Sequence, residues 1–254
     1  MTIRSHESQH RRTFAAHLEA LSSWGIPGLR GGEAPAEAMP AVPQRSSSAG
    51  DILEAGDILE AMAQEVASCT ACALASTRNL TVFGVGDPAA DLMLVGEAPG
   101  HEEDRRGEPF VGAAGQLLDR ILAALGLSRD RVYIANVLKC RPPGNRNPNP
   151  DETAACRGFL ESQIETVEPR MIVALGRPAA NWLTSTDLPI GRLRGGSHQF
   201  RGIPVVATYH PAYLLRNSSA KKLVWQDLQE VISTLDLQPP MPASPNRSQG
   251  RSSS

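Results

Sequence analysis

The sequence predicts an α/β fold of three layers, with helices on both faces of a central, mainly parallel four-stranded sheet. Three observations predict it. Four short apolar runs, "DLMLV" (91–95), "VYIANV" (132–137), "MIVAL" (171–175) and "IPVVAT" (203–208), have the length and continuity of buried strands. Helical patterns separate them, and strand–helix alternation at this spacing sets strands parallel with helices outside. The chain of 254 residues, 41% hydrophobic, is long enough to bury one good core with residues left over.

Taken in order, residues 1 to about 60 differ from the rest. "RRTFAAHLEALSSWG" reads as a short amphipathic helix, and the Gly, Ala, Pro and Ser of "GLRGGEAPAEAMPAVPQRSSSAG" read as a flexible linker. "GDILEAGDILEA" is a tandem copy of six residues, too short for a repeat fold and read as a local duplication where linker meets helix. Further on, "AAGQLLDRILAALG" sets Leu117, Leu118, Ile121, Leu122 and Leu125 on one helical face, with Gly126 at its end. "NPDETAACRGFLESQIETV" opens with Asn149 as N-cap, Pro150 in the first turn and Glu152 three residues after the cap. "RPAANWL" is a shorter helix, and "SAKKLVWQDLQEVISTL" closes the domain. The expected organisation is an N-terminal, largely flexible extension (1–61), one catalytic domain (62–237) and a disordered tail (238–254).

Composition excludes some classes. The formal net charge is -2, so no global basicity announces a nucleic-acid binder and charge must be read locally. No apolar run reaches membrane-spanning length, and the first 25 residues lack the hydrophobic centre of a secretory signal. The expectation is a soluble, cytoplasmic monomer with no membrane partner.

In parallel sheets ligands bind beyond the carboxyl ends of the strands, and the unusual residues sit there: Gly96-Glu97-Ala98-Pro99-Gly100, Asn136, Gly176 and His210-Pro211. The first of these turns lacks the lysine and spacing of a phosphate loop, and Gly84-x-Gly86 runs into Asp87-Pro88 and fails as a dinucleotide fingerprint. Alone, the glycine–proline turn reads as structural more often than catalytic; in company it aims Glu97 at the rim. Glu102, Glu103 and Asp104 are read as solvated or dipole-favouring acids near a helix start rather than as Mg²⁺ ligands. Phe110, in a glycine-rich loop, is a core residue by default and a stacking platform if the site holds a flat base. Asn136 offers an acceptor and donors that match a pyrimidine edge, though a strand-end Asn also serves local backbone. His210 precedes a proline that holds its backbone extended. After it, Tyr213-Leu214-Leu215-Arg216 and then Lys221-Lys222 resemble a wedge followed by phosphate anchors.

Three basic segments lie near the same rim. They contain Lys139, Arg141 and Arg146; Arg192, Arg194 and Arg201; and Arg216, Lys221 and Lys222, and together they read as a phosphate-backbone surface. Cys69, Cys72, Cys140 and Cys156 are the only cysteines, with a Cys-x-x-Cys and two distant partners. Four thiolates suit Zn²⁺ or a [4Fe–4S] cluster, and their spacing does not choose between them.

The run from Cys69 to about Asp227 resembles the family 4 uracil-DNA glycosylases, the iron–sulfur branch of that superfamily. The matching segments are "CTAC", "DLMLVGEAPGHEEDRRGEPFVGAAGQLLDRIL", "VYIANVLKCRPPGNRNPNPDE", "ACRGFLESQIE", "IVALGRPAA", "LRG" and "HPAYLLRN". The resemblance implies excision of uracil from single- or double-stranded DNA by a cytoplasmic, nucleoid-associated enzyme. It implies a [4Fe–4S] cluster on Cys69, Cys72, Cys140 and Cys156, and a uracil pocket of Gly96, Glu97, Ala98, Phe110, Asn136 and His210. Glu97 and His210 would be catalytic, with Arg194, Leu214, Leu215, Arg216 and Lys221 on DNA. Glu108 departs from the family, which often has a basic residue there, and Ala98 fits the hydrolytic branch rather than a covalent sister group with Gln. Two other classes compete: a non-catalytic iron–sulfur DNA-binding module, and a Mg²⁺-dependent phosphohydrolase built on the acids at 102–104.

Overall fold

The computed structural model describes residues 48–238. The expected helix and linker before residue 48, and the tail from 239 onward, lie outside the described residues.

Six strands form one sheet: β1 (Val85–Gly86), β2 (Leu92–Gly96), β3 (Tyr133–Asn136), β4 (Met171–Leu175), β5 (His198–Phe200) and β6 (Ile203–Thr208), in the order β1-β3-β2-β4-β6-β5. The central four, β3-β2-β4-β6, are parallel and are the four expected from sequence. The expected count of four is corrected to six by β1 and β5, which pair antiparallel at the two edges. Both additions are two or three residues long, too short to show a period of two.

Alternation along the strands splits the interior into two cores. Leu92, Leu94, Ile134 and Val173 face a helical layer made of α3 (Ala113–Ala124), α7 (Pro211–Arg216) and α8 (Lys221–Thr234). Met93, Val95, Ala135 and Ile172 face the opposite layer of α1 (Ala49–Ser68), α4 (Pro150–Val167) and α5 (Arg177–Thr184). Two short helices, α2 (His101–Arg106) and α6 (Ile190–Leu193), lie in the loops after β2 and before β5. The stripe predicted for α3 is buried as expected, with Leu117, Leu118, Ile121, Leu122 and Leu125 all in the core. At about 1.5–3 kcal/mol for each fully buried aliphatic side chain, this face alone is a main anchor of the helix.

Helix α1 crosses residue 61, where the sequence set the start of the domain. It is capped at Ser48 by a reciprocal bond with Asp51, and buries Leu59 and Val66 in the core shared with α4. The duplicated "GDILEA" units are therefore helix, not linker. Gly50 and Gly56 obscure this in the sequence, because glycine disfavours helix interiors. Helix α4 begins as expected, with Asn149 and Glu152 in a capping box.

Candidate functional site

The site is built by strand register. Gly96 at the end of β2 lies directly opposite Asn136 at the end of β3. Past this pair, Val137 N–H donates to Gly96 O at 2.9 Å and Leu138 N–H to Glu97 O at 3.0 Å, so the Glu97 backbone continues the ladder beyond the strands. Gly96 has to be glycine: a Cβ there would lie 2.3 Å from Asn136 Oδ1 and 2.7 Å from the Phe110 ring. The Phe110 ring stacks on His210 at 5.4 Å between centroids. Gly176, with φ +94°, brings the end of β4 to where its Cβ would lie 3.0 Å from His210 Cβ. Thus Glu97, Phe110, Asn136 and His210, distant in sequence, occupy one rim.

Each polar group there is unsatisfied in a specific way. Asn136 is buried, and its Oδ1 has no hydrogen-bond partner. An orphaned buried acceptor costs about 1–3 kcal/mol, a cost that a ligand donor would offset. His210 Nδ1 accepts from Ala212 N–H at 3.1 Å. In the neutral ring the proton then sits on Nε2, which is left as a donor. Burial disfavours the imidazolium of His210 and lowers its pKa to about 4. Burial alone raises the pKa of Glu97 above the usual carboxylate value. The rim thus carries a carboxylate at Glu97, with a neutral imidazole donor stacked on the Phe110 ring and a carboxamide whose acceptor is free.

The three acids that follow Glu97 are all engaged structurally. Glu103 Oε1 accepts from the Val111 and Gly112 N–H groups at 2.9 Å each, at the start of α3. Asp104 is buried and receives the side chain and backbone N–H of Asn79. Glu102 pairs with Arg105 at 3.3 Å. These bonds give Glu103 and Asp104 structural roles and leave Glu102 in a surface ion pair.

The sequence-expected DNA-contact residues divide. Leu215 is 49% exposed, whereas Leu214 is 1% exposed and packs in the core, so Leu214 is corrected from wedge to core residue. A short helix that turns one face inward cannot present two successive leucines to a ligand. Arg194 is likewise corrected: it is forked onto Asp227 at 2.8 and 2.9 Å, donates to Leu223 O and lies over the Tyr209 ring. Arg146 pairs with Glu152, Arg201 with Glu161 and Glu165, and Lys139 is fully buried. The basic surface is therefore narrower than expected: Arg216 is exposed at the end of α7, Lys221 and Lys222 are partly exposed just beyond, and Arg192 in α6 and Arg141 also keep exposed surface. Sequence spacing carries no sign of these internal pairings, because the acids lie 6 to 36 positions away.

The four cysteines line one cavity with an empty volume of about 290 Å³, part of it open to solvent. Among the described residues, no three His, Cys, Asp or Glu side chains are gathered closely enough to hold a single ion. Four thiols around one cavity suit either a tetrahedral Zn²⁺ or a [4Fe–4S] cluster. Two of the four sulfurs already have donors: Arg78 Nη1 to Cys140 Sγ at 3.4 Å and Lys139 N–H to Cys156 Sγ at 3.3 Å. Such bonds favour anionic sulfur, against the burial that pushes both thiols up. The donor set fits a thiolate-held metal ion or cluster.

Sequence reasoning placed Lys139 on a basic surface and missed its internal role. Its Nζ donates to Asn136 O at 2.8 Å and to Gln163 Oε1 at 2.5 Å, and burial lowers its pKa to about 7. It links the strand end carrying Asn136 to the helix carrying Cys156. Ala98, expected at uracil, packs partly against the cysteine cluster of Leu74, Leu138, Cys140 and Cys156. The cysteine centre and the rim are therefore adjacent in the structure.

A sheet whose parallel strands end in this carboxylate, carboxamide and imidazole defines a class. A model of the uracil DNA glycosylase superfamily matches residues 83–229, and the chain belongs to that superfamily. Its similarity to the type-4 branch is extensive. A type-4 uracil-DNA glycosylase of Thermotoga maritima is 43% identical over 181 residues, covering 70% of this chain and 94% of the relative. One of Archaeoglobus fulgidus is 42% identical, over 68% of this chain and 91% of the relative. A type-5 uracil-DNA glycosylase of Thermus thermophilus is 34% identical, over 59% and 77%.

Proposed function

We infer that the protein is a monofunctional uracil-DNA glycosylase, which hydrolyses the N-glycosidic bond of deoxyuridine in DNA and leaves an abasic site. The observation that carries this reading is the unpaired Asn136 Oδ1, buried beside Gly96 and the Phe110 ring. Uracil presents an N3–H donor to that oxygen and its O4 to the carboxamide N–H. Cytosine reverses both, and a polar site built for one pattern rejects the other strongly.

The remaining groups follow the charges of the reaction. Bond cleavage builds positive charge on the sugar and negative charge on the departing base. Glu97, ionised above its raised pKa, stabilises the sugar and orients or activates the attacking water. The neutral His210 donates from Nε2 to uracil O2 as charge grows there. Phe110 stacks on the base. Leu215 fills the space that the flipped nucleotide leaves, while Arg216 and Lys221 hold the flanking phosphates. Cys69, Cys72, Cys140 and Cys156 would hold a [4Fe–4S] cluster, which when bound cross-links the segments that carry them. The enzyme is proposed to act as a cytoplasmic monomer at the nucleoid; among the described residues no helix is long and apolar enough to cross a membrane.

Chromatography of the products from uracil-containing DNA tests the reading. Free uracil should appear, with no strand break until alkali is added. Binding of uracil-DNA without release would instead favour the non-catalytic module.

A further inference from the structure

The ring of Phe110 is held in an unusual way. Its backbone has φ +54°, a left-handed conformation that side chains with a Cβ rarely adopt and that persists only where the surroundings impose it. Two groups impose it from opposite sides. Glu103 takes the N–H groups of Val111 and Gly112 just after the ring. Arg129 takes the carbonyls at the ring itself: Nη1 donates to Phe110 O at 3.1 Å and Nη2 to Pro109 O at 2.5 Å. Behind the turn the first part of α3 is pressed against it, since a Cβ at Gly115 would fall 1.7 Å from Phe110 O.

Arg129 is itself fixed. Its guanidinium also reaches Asp119 at 3.1 Å and Glu108 at 3.4 Å, and only 25% of its side chain is exposed. Glu108, the departure noted in the sequence, thus supplies a carboxylate to this arginine. A planar fork of five donors can serve two neighbouring carbonyls and two carboxylates at once, which the single ammonium of lysine cannot do in the same geometry. Arg129 lies in the turn before β3, and its recorded bonds go to the Phe110 loop and to Glu108 and Asp119, not to Glu97, Asn136 or His210.

We propose that Arg129 is a positioning residue for base stacking: its guanidinium locks the left-handed turn that presents the Phe110 ring to the base beside Gly96, Asn136 and His210. This rests on the uracil-excising reading given above. Without the fork the turn relaxes toward ordinary backbone angles, and the ring leaves the base plane while the other rim groups stay in place.

A double-mutant cycle tests it, using single-turnover uracil excision by the full chain with Arg129→Met, Phe110→Ala and the double variant. Arg129→Met should slow excision about tenfold or more in the native background and change it less than twofold when Phe110 is already alanine, because its effect passes through the ring. Arg129→Lys should fall between, and it supplies the same cycle if the methionine variant does not fold. Equal losses in both backgrounds, or no loss in either, would overturn the proposal. A wild-type protein that excises no uracil sinks the functional reading and the clamp with it; an active wild type with additive losses sinks the clamp alone.

Discussion

The chemistry turns on single atoms whose partners are missing from the protein. Asn136 Oδ1 is an acceptor without a donor, and His210 Nε2 is a donor because Nδ1 is taken by Ala212 N–H. Asn136→Asp replaces the carboxamide donor with a second acceptor, so excision of uracil should slow while cytosine, with an amino group to donate, becomes a substrate. Rates on uracil and cytosine oligonucleotides check this, and unchanged selectivity would count against base-edge reading. The pH dependence has a definite sign. Glu97 must be ionised and its pKa is raised by burial, so kcat should fall on acidification above the usual carboxylate range. His210, neutral down to about 4, should add no step near 6.5; a step there, lost on His210→Gln, would contradict the neutral role. For stability, the unfolded chain gains a proton at His210 below about 6.5 that the folded chain refuses until about 4, so folding should weaken with acidification across that window. Glu97, Asn136, Phe110 and His210 were legible in the sequence because each stands at the mouth of a recognisable strand or in a glycine turn. Lys139 and Arg194 were not, because a buried cation is distinguished from a surface one only by partners that folding supplies.

At the scale of elements, the parallel strands and the caps were readable, and the short or atypical pieces were not. The capping box at Asn149 is a local signal, complete within four residues. Edge strand β5 instead sits among glycines and arginines that read as a basic loop, and α1 carries glycines at positions 50 and 56 that read as linker. Helix α7 shows how an element divides labour between adjacent residues. Leu214→Ala should cost about 2–5 kcal/mol of unfolding free energy, as core truncations do. Leu215→Ala should leave stability within about 0.5 kcal/mol yet slow excision from duplex DNA more than from single strands, where no base need be prised out. Denaturant unfolding and rates on the two substrates separate these outcomes; equal duplex and single-strand losses at Leu215 would remove the wedge.

For the whole molecule, the sheet separates two apolar cores, and the cysteine cavity lies beside the strand-end rim of Gly96 and Asn136. Ala98 and Lys139 connect the two, one by packing and one by its bonds to Asn136 and to the helix of Cys156. The protein isolated without oxygen should therefore carry iron and acid-labile sulfide at about four each per chain, and Cys156→Ser should lower both together with thermal stability. Zinc without sulfide would contradict the cluster. Single-turnover excision with wild-type protein and Glu97→Gln, on duplexes differing only in uracil or thymine, tests whether Glu97 on this rim drives hydrolysis of deoxyuridine. Alkali-labile sites should form at uracil alone, slowed about 10²-fold or more in the variant while uracil-DNA binding is retained. No cleavage above the thymine control, or a variant as fast as wild type, would contradict it.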